Sequence, residues 1–530
     1  MNTPAPVDAC IVGSGASGSV MAAELSAAGF KVVVLEIGEA TDPERIPTAQ
    51  PDWELRRNAF FPAYRGEDWV SYAPDSEPTF RVSRFKGIGG STMHFEGFYT
   101  RMHPGDWRRR SQTGFSVDWP IRYDELVPFY DRVESRIGVS GTTDNPFEPA
   151  RTPYPEPALA MSCAVQRVKS GCDRLGLHAA HAPMAILSRP RPGRGSCNFC
   201  GGCWFGCMHG AIGNAAQTFL AEALHSGAEV RSRCAATRVV TNAPGRRVRG
   251  VEYLDAEGNL WLQEAGLVVL CGNAIETPRL LLMSAQAGHP DGLANPSGQV
   301  GRHFTIHTHA SVRGWFDDPV DAYKGPNING MVQDFWEHRK DRGFAGGYVI
   351  ALRNAELGPY THFQRHIRDP NLFGAALHQA METGFGHTAT VSAYGEHFAT
   401  EDDRITLDSG RTDGLGLPVP QLRVRLRDNE EAMLAHMNRT LRDIMDAAGA
   451  RRVEAATRSR VLGTHLMGTC RMGTDPDASV VDTDGKVHGV ENLYVADGSV
   501  FPTSTPANPT LTIQAMALRI AEGMIRNRHS

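Results

Sequence analysis

The chain has 530 residues, 41% of them hydrophobic, and a formal net charge of −5. That length carries more than one domain with a sizeable core, and the small negative charge excludes the broad basic face that a nucleic-acid binder needs. No apolar run is long enough to span a bilayer. The N-terminus "MNTPAPVDACIVGSG" enters an apolar strand without the basic segment and long apolar stretch of a secretory signal, so the expected location is cytoplasmic.

Taken in chain order, the first elements are a strand over Val7–Val12, a tight turn, a helix closing at Gly29, and a second strand over Lys31–Leu35 that ends at Glu36. Gly13, Gly15 and Gly18 form G-x-G-x-x-G at the turn. The first glycine permits the sharp turn, the second lets backbone approach a pyrophosphate, and the third lets helix pack on strand; the helix N-terminus faces the anion. Glu36 suits ribose hydroxyls. Turn, helix, both strands and acid together predict a dinucleotide site spanning Gly13, Gly15, Ala16, Ser17, Gly18 and Glu36.

A basic, proline-rich loop "SRPRPGRG" at 188–195 leads into Cys197, Cys200, Cys203 and Cys207. In a reducing compartment disulfides are disfavoured, so metal or redox chemistry competes with a purely structural role. The C-x₂-C-x₂-C-x₃-C spacing is that of bacterial ferredoxins, with Met208 where those have proline. One such run does not close a four-iron cluster without a remote ligand, for which Cys163 and Cys172 are candidates; a three-iron cluster and zinc are further alternatives. The favoured expectation is a loop organised by its cysteines and dispensable for the chemistry.

Further on, 238–270 alternates polar and apolar residues around Pro-Gly and Glu-Gly turns, which predicts a meander of short strands. Met433, Leu434, Met437, Leu441 and Ile444 recur at helical spacing within 429–448. Leu493–Ala496 reads as a strand running into Asp497, and Asn508-Pro509 as the N-cap and first position of a last helix.

Several blocks resemble the glucose–methanol–choline (GMC) oxidoreductases, FAD-dependent alcohol oxidases and dehydrogenases. They are the N-terminal fingerprint, "GIGGSTMHFEGFYTR" (87–101), "VVLCGNAIETPRLLLMS" (268–284), "VGRHF" (300–304), "DRITLD" (403–408) and "THLMGTCRMG…VHGVENLYVADGSVFPTSTPANPTLTIQAM" (464–516). They occur in family order over nearly the whole chain. The resemblance implies an α/β fold: a Rossmann-like FAD-binding domain from 1–105, 215–300 and 455–530, interleaved with an α+β substrate-binding domain from 106–214 and 301–454. The latter includes the cysteine-rich loop 195–210, and a sheet roofs the flavin.

The same resemblance implies oxidation of an alcohol to the carbonyl, with hydride to flavin N5 and the proton to His465. Asn508 stands at a partner position that the family fills with His or Asn; an amide holds an oxygen but does not titrate. It implies cofactor contacts at Gly89, Gly90, Ser91, His94, Ala236, Asp497, Pro509 and Thr510, with the last helix directing its N-terminus at the flavin pyrimidine. In some relatives a histidine at the spacing of His94 is bonded covalently to the flavin; here FAD is expected to be non-covalent. Some multisubunit sugar dehydrogenases of the family carry an iron–sulfur cluster in a cysteine-rich segment, so an electron-relay dehydrogenase is the alternative. Other readings are an FAD lyase or isomerase, a nicotinamide dehydrogenase, and a flavoprotein without alcohol chemistry. The expected partners are a small-molecule alcohol and, for reoxidation, O2, an acceptor protein or a quinone. The aromatic and polar stretch 362–398 is the expected source of the substrate pocket.

Overall fold

Five parallel strands build the first sheet in the order Glu229–Arg231, Val32–Leu35, Val7–Val12, Leu260–Leu270 and Leu493–Val495. Val32–Leu35 and Leu493–Val495 are apolar and buried throughout, as strands covered on both faces are. On one face Ala16–Ala27 packs against the helices Phe219–His225 and Thr510–His529. Leu260–Leu270 serves two partners in turn. Its second half lies between Val7–Val12 and Leu493–Val495, while its first half pairs antiparallel with Val248–Leu254, which pairs with Ala235–Thr241. This is the predicted meander, continued directly into the parallel sheet. The computed structural model describes all residues except 1, 42–45, 47, 49–51, 53, 55–68, 243–244, 355–357, 368, 457–458 and 530.

The second sheet is antiparallel, in the order Arg452–Ala455, Thr305–Trp315, Thr388–Gly395, Tyr348–Arg353, Ile328–Val332 and Ala179–His181, with Val461–Met467 also on Thr305–Trp315. Strand period decides which residues it buries where. Ala310 and Val312 pack with Met433, Met437 and Leu441 of the helix Asp428–Ala447, so His307 and His309 emerge on the opposite face. Between Thr305 and His307 the pairing with Val461–Met467 slips: Thr305 faces Met467 but His307 faces Leu462. The residues 463–466 therefore bow out of the ladder, and His465 is carried in the bow. Bulges of this kind re-aim side chains at active sites. Val461–Met467 falls in the segment expected to go with the cofactor but pairs into this second sheet.

The chain before Trp119 is tied to the second sheet by a buried charge cluster. Arg109 is fully buried; its Nε donates to Glu396 Oε1 at 2.6 Å and its Nη2 to Asp106. Glu396 also accepts from Gly347 N, and Asp106 from Trp336 Nε1. Burial pushes both carboxyls up, Asp106 to about 6, and Arg109 is what opposes that push. Removing one member of such a cluster strands the others. Arg109→Met is expected to cost about 3–5 kcal/mol, measured as a fall in the urea midpoint; an unchanged midpoint would show that the two carboxyls take up protons without consequence.

Candidate active site

A cavity of about 390 Å³ opens at the carboxyl ends of the parallel strands and runs to the inner face of the second sheet. Ligands of open α/β sheets bind at this edge because the strand-to-helix turns leave their backbone N–H groups free there. Gly13, Ser14, Gly15, Ala16 and Ser17 form one wall. A Cβ on Gly15 would meet nothing nearer than the Cα of Gly90, at 3.9 Å. That glycine is thus not required by packing within the protein; its missing side chain keeps the cavity open. Gly18 differs. A Cβ there would lie 1.9 Å from the Gly13 carbonyl oxygen, so it holds helix to strand and does not line the cavity.

Glu36 is buried at the end of its strand. Its Oε2 accepts from Ser14 N at 3.0 Å and Ser14 Oγ at 2.8 Å, and its Oε1 accepts from Gly38 N at 2.9 Å. Burial pushes its carboxyl up, against those bonds. Each carboxylate oxygen offers more than one lone pair, so Glu36 can still receive a ribose hydroxyl. Ser14 also accepts from Gly89 N at 3.2 Å, linking the glycine turn to the Gly89–Gly90 loop. Gly89 is set back behind the cavity wall, while Gly90, Ser91 and His94 line it. Ala236, Asp497, Pro509 and Thr510 line it as well. Asp497 is held by Asn273 N at 2.8 Å, Thr277 Oγ1 at 2.6 Å and Ser499 N at 2.8 Å. An open glycine turn, a buried acid at the end of the second strand and a wall of backbone fit a dinucleotide such as FAD.

His94 is buried, and its Nδ1 donates to the Trp204 carbonyl at 2.9 Å; burial lowers its pKa. Trp204 belongs to the cysteine-rich loop and itself lines the cavity. The loop is shaped by backbone bonds: Cys197 N to Leu187 O, Gly195 N to His209 O and Gly325 N to Phe199 O. Cys203 is buried, Cys197 and Cys207 half-buried and Cys200 exposed. Burial pushes Cys197 up to about 11 and Cys203 well above its usual value, and neighbouring thiols of the run add to both shifts. Among the described residues no three His, Cys, Asp or Glu side chains are gathered to hold a metal ion. Cys172, one of the expected remote ligands, is instead buried in the core between the second sheet and its helices.

Where the second sheet closes the cavity, His465 meets Asn508. Its Nε2 lies 3.4 Å from Asn508 Nδ2, and its Nδ1 lies 2.9 Å from His307 Nδ1. Burial, then the neighbouring rings of His307 and His309, hold His465 well below the usual histidine range. Burial likewise takes His307 down to about 4 and His309 to about 3. All three rings are therefore neutral at neutral pH. Asn508 thus sits against Nε2 of His465 and His307 against its Nδ1, so the ring has a partner on either side. Asn508 does not cap the last helix as expected: its Oδ1 is buried without a protein partner, and Ile513 N bonds to Pro509 O. Its side chain is turned to the histidine instead.

Ser14, Asn273, His307, His309, Arg353 and Glu96 also shape the site, outside the expected set. For two of them a signal existed: His307 and His309 stand at i and i+2 in "TIHTHASV", on one face of a strand. The expectation for 362–398 is largely corrected. That stretch forms Pro359–His366, Gly374–Gly384 and Thr388–Gly395, and among its described residues Tyr394 alone lines the cavity.

A dinucleotide turn at one end of a cavity and a buried, neutral histidine at the other is a layout that suits a flavin-dependent oxidoreductase. The chain belongs to the GMC oxidoreductase family, whose N-terminal model matches residues 7–309 and whose C-terminal model matches 399–517. It is an FAD-dependent oxidoreductase acting on CH–OH groups. It is 32% identical to the 2-methyl-1,2-propanediol dehydrogenase of Mycolicibacterium austroafricanum, over 98% of this chain and 95% of that one. It is 27% identical to the fructose dehydrogenase large subunit of Gluconobacter japonicus, over 99% of both. Among solved structures, pyridoxine 4-oxidase from Mesorbium loti shares the fold, with a TM-score of 0.63 at 21% identity over 99% of each chain. No helix among the described residues is long and apolar enough to cross a membrane.

Proposed function

We propose that the protein oxidises a small-molecule alcohol to the carbonyl, with His465 taking the hydroxyl proton on Nε2 and Asn508 holding the alcohol oxygen. The observation that carries this reading is the His307–His465–Asn508 row. Burial keeps its central histidine neutral beside the cavity, which is the state a general base needs. Bound FAD would supply the hydride acceptor, held by the Gly13–Ser17 turn, Glu36, Asp497 and the first turn of Thr510–His529. That helix end favours negative charge on the ring beside it. Anaerobic flavin reduction across an alcohol panel tests the reaction, and timed reoxidation by air then separates O2 from a protein or quinone acceptor.

FAD is read as non-covalent. His94 already spends Nδ1 on the Trp204 carbonyl, and burial disfavours its cation. Acid or heat is expected to release all the flavin into the supernatant; yellow colour left in the denatured pellet would mean a bond to His94. The cysteine run is read as shaping the loop that presents Trp204 to the cavity. Cys200→Ser is accordingly expected to leave the rate of flavin reduction within about twofold, because surface changes away from packing sites cost little. The adjacency of that loop to the cavity favours one second reading, an iron–sulfur relay taking electrons outward. Stoichiometric iron and acid-labile sulfide in protein purified without oxygen, lost in Cys200→Ser, would establish it.

A further inference from the structure

Around His465 the cavity wall carries a polar group that the proton transfer does not use. Arg353 and Glu96 form an ion pair with side chains only 11% and 12% exposed, and both line the cavity. Arg353 Nη1 also donates to Tyr394 Oη at 2.8 Å. The Tyr394 ring stands between this pair and the base: its centre is 5.9 Å from that of His465. His309 stacks on it at 5.6 Å and 9°. The wall is thus rich in donors and acceptors yet carries no net charge.

We infer that this wall, built from Arg353, Glu96 and Tyr394, selects neutral polyhydroxylated substrates, binding a second hydroxyl remote from the one oxidised. The inference rests on the alcohol reading above. Each class of substrate meets the pair differently. A carboxylate drawn to Arg353 is confronted by Glu96, and an ammonium drawn to Glu96 by Arg353; either adds an unmatched charge to a site already shielded from water. An alkyl chain strips water from the pair and returns no hydrogen bond. A hydroxyl both donates and accepts, so it bonds to the carboxylate or to the guanidinium without adding charge. Sites built to hydrogen-bond a hydroxyl reject analogues that lack it far more strongly than apolar pockets discriminate by size.

The test uses the FAD-loaded full-length enzyme and a matched six-carbon series in anaerobic flavin reduction: 1-hexanol, 1,6-hexanediol, 6-hydroxyhexanoate, 6-amino-1-hexanol and sorbitol. Sorbitol offers a hydroxyl at every carbon, so its recognition does not hang on one chain length. The diol and sorbitol are expected to exceed 1-hexanol in kcat/KM by about tenfold or more, and both charged compounds are expected to fall below the diol. In Glu96→Gln the guanidinium loses its counter-charge, and the ratio of 6-hydroxyhexanoate to diol is expected to rise about tenfold. Equal rates for 1-hexanol and the diol, or a wild-type preference for either charged compound, would overturn the inference while leaving alcohol oxidation intact. So would an unchanged ratio in a Glu96→Gln protein with full flavin content. Reduction by none of the five would remove the alcohol reading and this inference together.

Discussion

His465→Ala is expected to keep its full complement of FAD and to reduce it about 10²-fold or more slowly with any alcohol that the wild type accepts. The side chain lies at the sheet end of the cavity, away from the glycine turn, so cofactor retention and proton removal separate. Asn508→Ala removes an oxygen-holding amide and not the base, and a smaller loss is expected. Wild-type reduction rates in His465→Ala would end the proposal that this residue takes the proton. The pH dependence follows from the environment. Burial, and then the rings of His307 and His309, depress the pKa of His465. The active form is the neutral one, so the rate of flavin reduction should stay flat as pH falls through about 6.5, the ordinary histidine value, and drop only well below it. An inflection at the ordinary value would mean that His465 is solvated and unpaired in the working enzyme.

Gly15→Val is expected to yield a folded, colourless protein. Gly15 has extended backbone with negative φ, at φ −71° and ψ −155°, and the space its side chain would enter is open as far as Gly90 Cα. The methyl groups would occupy the place where a pyrophosphate approaches the turn. Circular dichroism should therefore match that of flavin-free wild type while flavin content falls to near zero. Retention of one FAD per chain would refute the assignment of the turn. The contrast with Gly18 sharpens the point. A Cβ there collides with the Gly13 carbonyl, so Gly18→Val should damage folding itself.

Much of the cofactor end was legible because its chemistry is local. Gly13, Gly15, Gly18 and Glu36 lie within one strand–helix–strand unit, and the demands on each residue come from its immediate chain neighbours and the ligand. The amphipathic helix Asp428–Ala447 and the meander from Ala235 were legible for the same reason: period 3.6 and period 2 are written in consecutive residues. His465 was legible only through a family motif, since nothing local distinguishes it from the other histidines. Asn508 shows the limit from the other side. Sequence rules make it a helix cap, but a histidine 43 positions earlier in the chain takes its side chain instead.

What the sequence by itself determined, then, is the dinucleotide turn, the character of each strand and helix, and the identity of the groups available for proton transfer. The tertiary structure alone decided their state. It brought His307 to within 2.9 Å of His465 through a three-residue slip in strand register, and their burial holds both rings neutral. It buried Arg353 against Glu96, from strands and turns some 250 residues apart, so that a cavity wall lined by full charges is electrically neutral. It also seated Trp204 of the cysteine loop beside His94. Protonation states and net local charge depend on burial and on partners distant in the chain, and neither is a property of any local window of residues.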